Sequence, residues 1–482
     1  MTLLAVLHGC GTLYGVRLPN ENREPVDGER FRLLTRFAHI SDAQIVDEQS
    51  PARLTWAAEF VSTAWRPHEA YSIHLLDGFV RTVNQMHAAG ERIDFLLHTG
   101  DATDNAQRNE LEWFIQVMDG SPIDPRSGPD DRNLDQRPPP LLDPHHPLEA
   151  QGLYRHGTHG EAPTIWWYSL IGNHDRFAQG NFPIVTDLLG RLVSPMPLPN
   201  RVGLFLPAVL VPTGSITHSP ITPANPTPMR NVHLPQAVFP NPQRAYLTDR
   251  RFVAAHLRST SEPPGHGFTS NHPERTWHST LVAPGVRLIA LDSSRPLFEM
   301  PGNFYPDGSI SLVQLLFLDI ELKQATDRGE RVILATHHPS YMFRPDYGSA
   351  LGPSGWLDRL NRYPCVKLHL AGHSHRNAVF DRGRYLEIET GSTLDPPQKG
   401  RVIEIWSDGS KTELRYRLFS HLDMIEAPPE LENSPVFEDP YRTIRWEAAR
   451  LAGVQTPSAL CASSFTQPCV PHPLRSEGQG VD

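Results

Sequence analysis

Cysteine is scarce in this chain of 482 residues, which contains four: Cys10, Cys365, Cys461 and Cys469. No two of them form a Cys-x-x-Cys pair, so a thiolate metal site with the usual spacing is excluded. Cys461 and Cys469 lie close together near a polar C-terminus. They either form a disulfide, if the protein is exported, or remain two free thiols, and the sequence leaves both alternatives open.

Positive charge and long apolar runs are scarce as well. The 44 Lys and Arg residues are outnumbered by 54 Asp and Glu residues, which gives a formal net charge of -10. We expect no nucleic-acid partner, because binding to a polyanion requires a basic surface. No apolar run reaches the roughly 18 residues of a membrane-spanning helix, so no transmembrane segment is predicted.

Short polar motifs are what the sequence does contain, and each one follows an apolar run that predicts a β-strand. There are five, in this order: Asp42-Ala43-Gln44, Gly100-Asp101-Ala102-Thr103-Asp104, Gly172-Asn173-His174-Asp175, Thr336-His337-His338-Pro339 and Gly372-His373-Ser374-His375. Asp, Asn and His side chains at the ends of several strands are the ligands that a pair of divalent metal ions requires.

The pattern between the motifs alternates strand and helix, which is typical of an α/β sheet. The predicted strands are 32–40, 93–98, 165–171, 286–292, 332–336, 366–371, 385–389, 401–406 and 413–418. The predicted helices are 73–88, 106–118, 310–327, 355–362 and 441–451.

Taken together, the motifs resemble those of the calcineurin-like metallophosphoesterases over about residues 37–392. This resemblance implies a four-layer αββα sandwich of two mixed β-sheets with helices outside. It also implies two divalent or trivalent metal ions, drawn from Mn, Fe, Zn and Mg, that share Asp101. One ion would be held by Asp42, Asp101 and His375, and the other by Asp101, Asn173, His337 and His373.

Two further roles are implied by the resemblance. His174 would be the general acid, or would clamp a phosphate oxygen, rather than bind metal. The Asp104 carboxylate would orient His174, although Asp104 also suits the N-cap of the helix that follows it. His338 is expected to have a supporting or structural role.

Gln44 departs from the family, whose first motif normally ends in histidine. Its amide oxygen would bind the metal directly, act through a water, or leave that ion with fewer ligands. The run from Ile45 to Arg53 resembles a subgroup with an Asp-x-Gln opening, often exported bacterial enzymes, so Gln44 is interpreted as a subgroup trait.

The domain organisation is one large catalytic domain with additions. We predict an N-terminal segment at 1–30, a catalytic domain at 31–420 with insertions at 120–163 and 195–280, and a C-terminal extension at 421–482. The second insertion is interpreted as a lid or pocket wall. The first insertion contains loop histidines that we expect to be solvated: His145, His146, His156 and His159.

The N-terminus bears on localisation. Leu7-His8-Gly9-Cys10 resembles a bacterial lipoprotein cleavage site, although the preceding apolar stretch is short and has no basic start. A lipid anchor at Cys10 follows if the true start lies upstream, and this favours an extracytoplasmic location, periplasmic or lipid-anchored, over a cytoplasmic one.

The predicted function is phosphoester hydrolysis on a small molecule, by in-line attack of metal-activated hydroxide. The second motif lacks the Asp-Arg-Gly continuation of protein phosphatases, which leaves a phosphodiesterase or a phosphomonoesterase. The alternative is a catalytically silent relative that uses the fold to bind a partner. Because only one expected position departs from the family, the enzyme is favoured.

Overall fold

The computed structural model describes residues 31–50, 65–127, 142–159, 162–181, 183, 209–211, 236–238, 241–296, 305–423 and 425–454. The expected anchor at Cys10, the Cys461–Cys469 alternative and the Pro51–Arg53 part of the subgroup signature lie outside these residues. The fold is built from strands and helices within the described ranges.

The strands of the described residues are short, mostly four to nine residues, as is usual for packed sheets. They are β1 (Arg32–Ile40), β2 (Phe95–His98), β3 (Pro122–Ile123), β4 (Leu148–Glu149), β5 (Trp166–Ser169), β6 (Val209–Val211), β7 (Gln236–Val238), β8 (His278–Ala283), β9 (Val286–Ala290), β10 (Arg331–Ala335), β11 (Val366–Ala371), β12 (Ala378–Asp381), β13 (Leu386–Glu389), β14 (Lys399–Ser407) and β15 (Thr412–Ser420).

The α-helices of the described residues are α1 (Ser72–Ala88), α2 (Arg108–Asp119), α3 (Asp249–Arg258), α4 (Leu312–Asp327), α5 (Pro353–Leu360) and α6 (Arg442–Leu451). In the part of the chain that is described, no helix combines the length and the apolar character needed to cross a bilayer.

Two mixed sheets form the centre. The first has the strand order β15-β14-β1-β2-β5, with β1, β2 and β5 parallel. The second has the order β12-β13-β11-β10-β9-β8, with β9, β10, β11 and β13 parallel. The antiparallel strands β14, β15, β12 and β8 lie towards the sheet edges.

The two sheets pack face to face over one apolar cluster. Phe37 and Phe95, neighbours on β1 and β2, stack with ring centroids 4.6 Å apart, and they meet Leu288 and Leu370 of the second sheet in this cluster. Because β-strand side chains alternate between faces, the remaining apolar residues of each strand point outward, where helices cover them.

Helices cover both outer faces. On the first sheet, Ile40 and Leu96 pack with Phe79 of α1 and Phe114 of α2. On the second sheet, residues of β9 and β10 pack with Leu318 of α4 and Trp356 of α5. The predicted four-layer αββα sandwich is therefore confirmed.

The predicted insertions contain regular structure that their composition did not reveal. The antiparallel strands β3 and β4 lie in 120–163, and α3 together with the start of β8 lies in 195–280. α3 is short and starts at a Thr248 side chain that caps its first turn. The surrounding segments are rich in proline, threonine and serine, and their composition obscured this helix.

The histidines of the first insertion are not all solvated. His146 and His156 are exposed and His159 is partly buried, but His145 is buried and its ring contacts the Glu48 carboxylate. The prediction of a solvated loop is therefore wrong for His145, because this part of the loop packs against the segment that follows the first motif.

Candidate metal centre

The five motifs meet at one rim of the sandwich. Each follows the carboxyl end of a parallel strand, β1, β2 and β5 in one sheet and β10 and β11 in the other. Backbone hydrogen bonds join neighbouring motifs: the Asp42 N–H donates to the Gly100 carbonyl at 3.1 Å, and the Gly372 N–H donates to the His337 carbonyl at 3.0 Å. The fold therefore places the motif loops side by side.

The backbone itself is unusual at this rim. Five of the predicted ligands have positive φ in the left-handed region: Asp42 (52°), Gln44 (40°), Asp101 (57°), His373 (64°) and His375 (54°). Such conformations cost on the order of 1–3 kcal/mol each and persist where the surrounding structure enforces them. Their concentration on one set of side chains indicates a functional site.

Two glycines allow the loops to approach closely. Gly100 has φ 93°, and a Cβ there would lie 2.8 Å from His337 Nδ1. A Cβ at Gly372 would collide with the Ser41 hydroxyl and the Asp42 carboxylate. A side chain at either position would push predicted ligands apart, so glycine is required at both.

One group of ligand atoms gathers around His337. Its Nε2 lies 3.1 Å from Asp101 Oδ2 and 3.3 Å from His373 Nδ1, and His373 Nδ1 lies 3.0 Å from Asn173 Oδ1. Ligands bound to a common ion at 2.0–2.2 Å stand roughly 3–3.5 Å from one another. The four residues predicted for one ion therefore form a set with the spacing of a coordination shell.

A second group adjoins it around Asp42. Oδ1 of Asp42 lies 3.2 Å from His375 Nε2 and 3.9 Å from His337 Nε2, while Oδ2 accepts a 2.9 Å hydrogen bond from the His373 N–H. Single ligand atoms of Asp42, Asp101 and His337 all lie within 4.8 Å of one another. The Asp42 side chain is thus placed beside the first group, as a pair of adjacent ions requires.

The side chain of Gln44 also lies at the candidate metal centre, but its amide nitrogen, not its oxygen, faces the other predicted ligands. Its Nε2 lies 3.4 Å from Asp101 Oδ2 and 3.4 Å from His375 Nε2. Its Oε1 accepts a 2.6 Å hydrogen bond from Arg66 Nη2.

His338 is closer to the centre than its expected supporting role required. It belongs with His337 and His373 to a group whose ligand atoms lie within 4.8 Å of one another. Its Nδ1 pairs with the Ser293 hydroxyl at 2.9 Å. That contact fixes the ring, in keeping with support of the neighbouring histidines.

The electrostatics of the rim favour cations. Burial opposes ionisation of Asp42, but His375 holds the pKa of that carboxyl well below its usual range. Burial alone would lower the pKa of His337, but the carboxylates of Asp101 and Asp42 outweigh it and raise the pKa to about 9. Buried charged carboxylates that draw protons onto neighbouring imidazoles would bind divalent cations instead, and the donor set fits such ions.

Asp175 organises the centre without pointing at it. Its Oδ2 accepts hydrogen bonds from the Asp101 and Gly172 N–H groups at 3.0 and 2.9 Å, and its Oδ1 accepts from the Thr103 N–H at 2.9 Å. Burial and the Asp101 charge raise the pKa of Asp175 to about 6. This carboxyl therefore joins the second and third motifs.

His174 lies on the same rim, but Asp104 does not orient it in the predicted way. His174 Nδ1 lies 2.6 Å from the backbone carbonyl of Asp104 and 3.9 Å from its carboxylate. The carboxylate lies instead 3.3 Å from Arg66 Nη1. Because the carbonyl can only accept, it fixes Nδ1 as the protonated nitrogen and leaves Nε2 for a ligand. The N-cap of α2 is Gln107, so the capping role proposed for Asp104 is wrong.

Two residues of the centre, the half-buried Asp395 and the buried Arg66, were not predicted from the sequence. Asp395 lies 2.6 Å from His375 Nδ1 through Oδ2, and its Oδ1 lies 2.6 Å from Arg66 Nε. The signal for Asp395 was its place after β13, the next strand in parallel order after β11. Arg66 gave no such signal, since it lies between the first two motifs and belongs to none of the five.

Comparison with known proteins agrees with this geometry. A sequence model of the calcineurin-like phosphoesterase family matches residues 35–377, which is most of the chain and includes all five motifs. The chain belongs to the calcineurin-like phosphoesterase family. Metal ions and a phosphoester substrate are what this family implies.

One curated relative matches part of this phosphoesterase. A probable cyclic nucleotide phosphodiesterase of Synechococcus sp. (strain WH7803) is 32% identical over 179 residues, which cover 30% of this chain and 65% of that protein. The chain thus spans about two thirds of the length of this curated relative.

Solved structures resemble it at low identity. A dimetal phosphatase from Danio rerio is 13% identical with a TM-score of 0.39, over 81% of this chain and 100% of that one. The sulfate thiohydrolase SoxB of Thermus thermophilus is 11% identical with a TM-score of 0.33, over 87% of this chain and 61% of that one.

Proposed function

We propose that this phosphoesterase is a metal-dependent hydrolase of small-molecule phosphodiesters that uses two metal ions. The observation that carries the proposal is the meeting of two adjacent groups of ligand atoms, spaced 3.0–3.3 Å within each group, with Asp101 in one group and within 4.8 Å of Asp42 in the other. A carboxylate has two oxygens and can serve two ions, as in two-metal phosphoesterases.

The ligand sets would divide between the ions. Asp101, Asn173, His337 and His373 would hold one ion, and Asp42, Asp101 and His375 the other. When bound, such ions neutralise phosphate charge and lower the pKa of an attacking water. Oxygen and imidazole ligands together suit Mn, Fe, Zn or Mg, and the mixture favours no single one of them.

His174 would act on the substrate. The carbonyl of Asp104 holds Nδ1–H, so Nε2 is the nitrogen that can face a phosphate oxygen or protonate a leaving alkoxide. Gly180 gives this ring its space, because a Cβ there would collide with the imidazole. A positioned acid of this kind contributes roughly 100- to 10,000-fold in rate.

A diester is favoured over a monoester by the Synechococcus relative, a probable cyclic nucleotide phosphodiesterase. The alternative function, a silent binding protein, is disfavoured by the presence of both His174 and the complete groups around His337. An extracytoplasmic location with a lipid anchor at Cys10 remains a proposal that rests on the N-terminal residues alone.

The test is a parallel assay. The purified protein, stripped of metal and reconstituted with Mn²⁺, is given p-nitrophenyl phosphate, bis(p-nitrophenyl) phosphate and a 3′,5′-cyclic nucleotide. We expect kcat/KM for the diesters to exceed that for the monoester at least tenfold. Preference for the monoester would contradict the diester assignment, and inactivity on all three with both ions bound would favour the silent binding protein.

A further inference from the structure

The amide of Gln44 is turned away from metal binding by a buried arginine. Its oxygen is 2.6 Å from Arg66 Nη2, and its nitrogen is 3.4 Å from both Asp101 Oδ2 and His375 Nε2. The nitrogen, rather than the oxygen, therefore stands beside the ligands of the ion expected at Asp42.

Arg66 determines this orientation because its guanidinium has only N–H donors. If the amide were reversed, two donor groups would face each other at 2.6 Å, and an internal hydrogen bond would be replaced by repulsion. The hydrogen-bond network thus assigns the two ends of the amide.

Arg66 itself is held in place. Its side chain is 3% exposed, and its nitrogens meet Asp395 at 2.6 and 3.0 Å and Asp104 at 3.3 Å. Its backbone N–H donates to Glu69 at 2.9 Å. A guanidinium fixed by two carboxylates cannot turn aside to release the Gln44 oxygen.

The neutral NH₂ nitrogen of a side-chain amide is not a metal ligand, since its lone pair is delocalised and its two hydrogens point outward. Resting on the metal-dependent function proposed above, we propose that Arg66 fixes the Gln44 amide with its nitrogen towards Asp101 and His375, so that Gln44 is not a metal ligand. The ion at Asp42 then has three protein ligands, Asp42, Asp101 and His375, and exchanges readily. The other ion has four protein ligands, Asp101, Asn173, His337 and His373, and is retained.

The test measures ion content rather than turnover. The metal-free protein is titrated with Mn²⁺ by calorimetry, and metal retained after desalting is counted by mass spectrometry. The natural protein should bind two ions with affinities that differ at least tenfold, and it should retain about one.

Three variants separate the possible roles of Gln44. Gln44→Leu removes any ligand atom, and both affinities should stay within about threefold of the natural values. Gln44→Glu keeps the shape and the bond to Arg66 but places an oxygen at the nitrogen position, so the weaker ion should bind at least tenfold tighter. Asn173→Ala serves as the matched control, and it should weaken the tightly held ion instead.

Three outcomes would contradict the proposal that Gln44 is not a metal ligand. Loss of the weaker ion in Gln44→Leu, two equal affinities in the natural protein, or no gain in Gln44→Glu would each overturn the inference. Melting temperatures verify that the variants fold. The natural protein alone already tests whether the two ions bind with different affinities. A natural protein that binds no ion at all would contradict the proposed function itself, which distinguishes the two failures.

Discussion

The carboxylate of Asp395 lies 2.6 Å from Nδ1 of His375. This contact fixes the imidazole so that its other nitrogen, Nε2, faces Asp42 at 3.2 Å. Carboxylates that hold the far nitrogen of a metal-binding histidine set its tautomer and increase its basicity. Asp395 therefore holds His375, a predicted metal ligand, from the side of its ring that faces away from Asp42.

Replacement of this carboxylate should weaken metal binding. Asp395→Asn removes the charge but keeps the shape, and we expect the affinity of the ion at Asp42 to fall roughly 10- to 100-fold. The exposed Asp327→Asn, whose carboxylate pairs with Lys323 on the surface, is the control and should change nothing. Unchanged Mn²⁺ affinity in Asp395→Asn would show that His375 needs no such partner.

His174 should be needed for turnover but not for metal. We expect His174→Ala to lower kcat on a diester by about 100-fold or more, as for a lost acid–base group. Ion content, measured by mass spectrometry, should equal that of the natural protein. The exposed His156→Ala is the matched control, and a loss of metal in His174→Ala would contradict the assignment.

Asp47 joins the two segments predicted as insertions, 120–163 and 195–280, to the loop after the first motif. Its Oδ1 accepts from the Ser127 hydroxyl at 2.6 Å, and its Oδ2 lies 3.3 Å from Arg244 Nε and 2.7 Å from Asn109 Nδ2. Ser127 belongs to the first insertion and Arg244 to the second.

Loss of the Asp47 charge should loosen these attachments. Asp47→Ala leaves the buried Arg244 guanidinium without this partner, and we expect a loss of roughly 3–5 kcal/mol in the free energy of unfolding. Chemical denaturation measures this, with the exposed Asp124→Ala as control. A change below about 1 kcal/mol would show that the insertions are held by other contacts.

Stability should decrease in mild acid because of three buried histidines beneath β5. Burial lowers the pKa of His256, His266 and His278 to about 4, about 2 and about 4. Below pH 6.5 the unfolded chain binds protons at these positions while the folded chain does not. Stability is therefore highest above pH 6.5 and is lost as the pH falls towards 4.

A single substitution should reduce this dependence. His256 Nε2 has no hydrogen-bond partner among the described residues, and its ring packs on Phe252 and Phe268. His256→Phe should reduce the loss of unfolding free energy between pH 6.5 and 5 by up to about 1.4 kcal/mol per pH unit. Urea denaturation at pH 7.5, 6 and 5 checks this, and identical slopes for the two proteins would refute it.

The sequence predicted the layers and the rim because both depend on local patterns. Apolar runs such as 366–371 form buried strands, and polar residues at their ends necessarily lie on one edge. Asp42, Asp101 and His373 could be found in this way. The segments 120–163 and 195–280 carry little apolar periodicity, so α3 and the burial of His145 could not be predicted.

The side-chain contacts of the predicted ligands could not be predicted from the sequence for a different reason. Arg66 is 22 residues from Gln44 and 329 from Asp395, and only the folded chain brings the three together. The Asp104 error has the same origin. A motif places a residue on a loop, but the packing around it decides whether its carbonyl or its carboxylate meets His174.

The central claim is metal-dependent hydrolysis at the centre built around Asp101. The most direct test titrates Mn²⁺ into the metal-free protein and measures, at each step, both the bound metal and the rate of bis(p-nitrophenyl) phosphate hydrolysis. We predict no hydrolysis without metal, and activity that rises in step with occupancy of the second, weaker ion. A folded Asp101→Asn variant should neither bind two ions nor hydrolyse the diester. Hydrolysis that persists in the metal-free protein, or an active Asp101→Asn variant, would contradict the account.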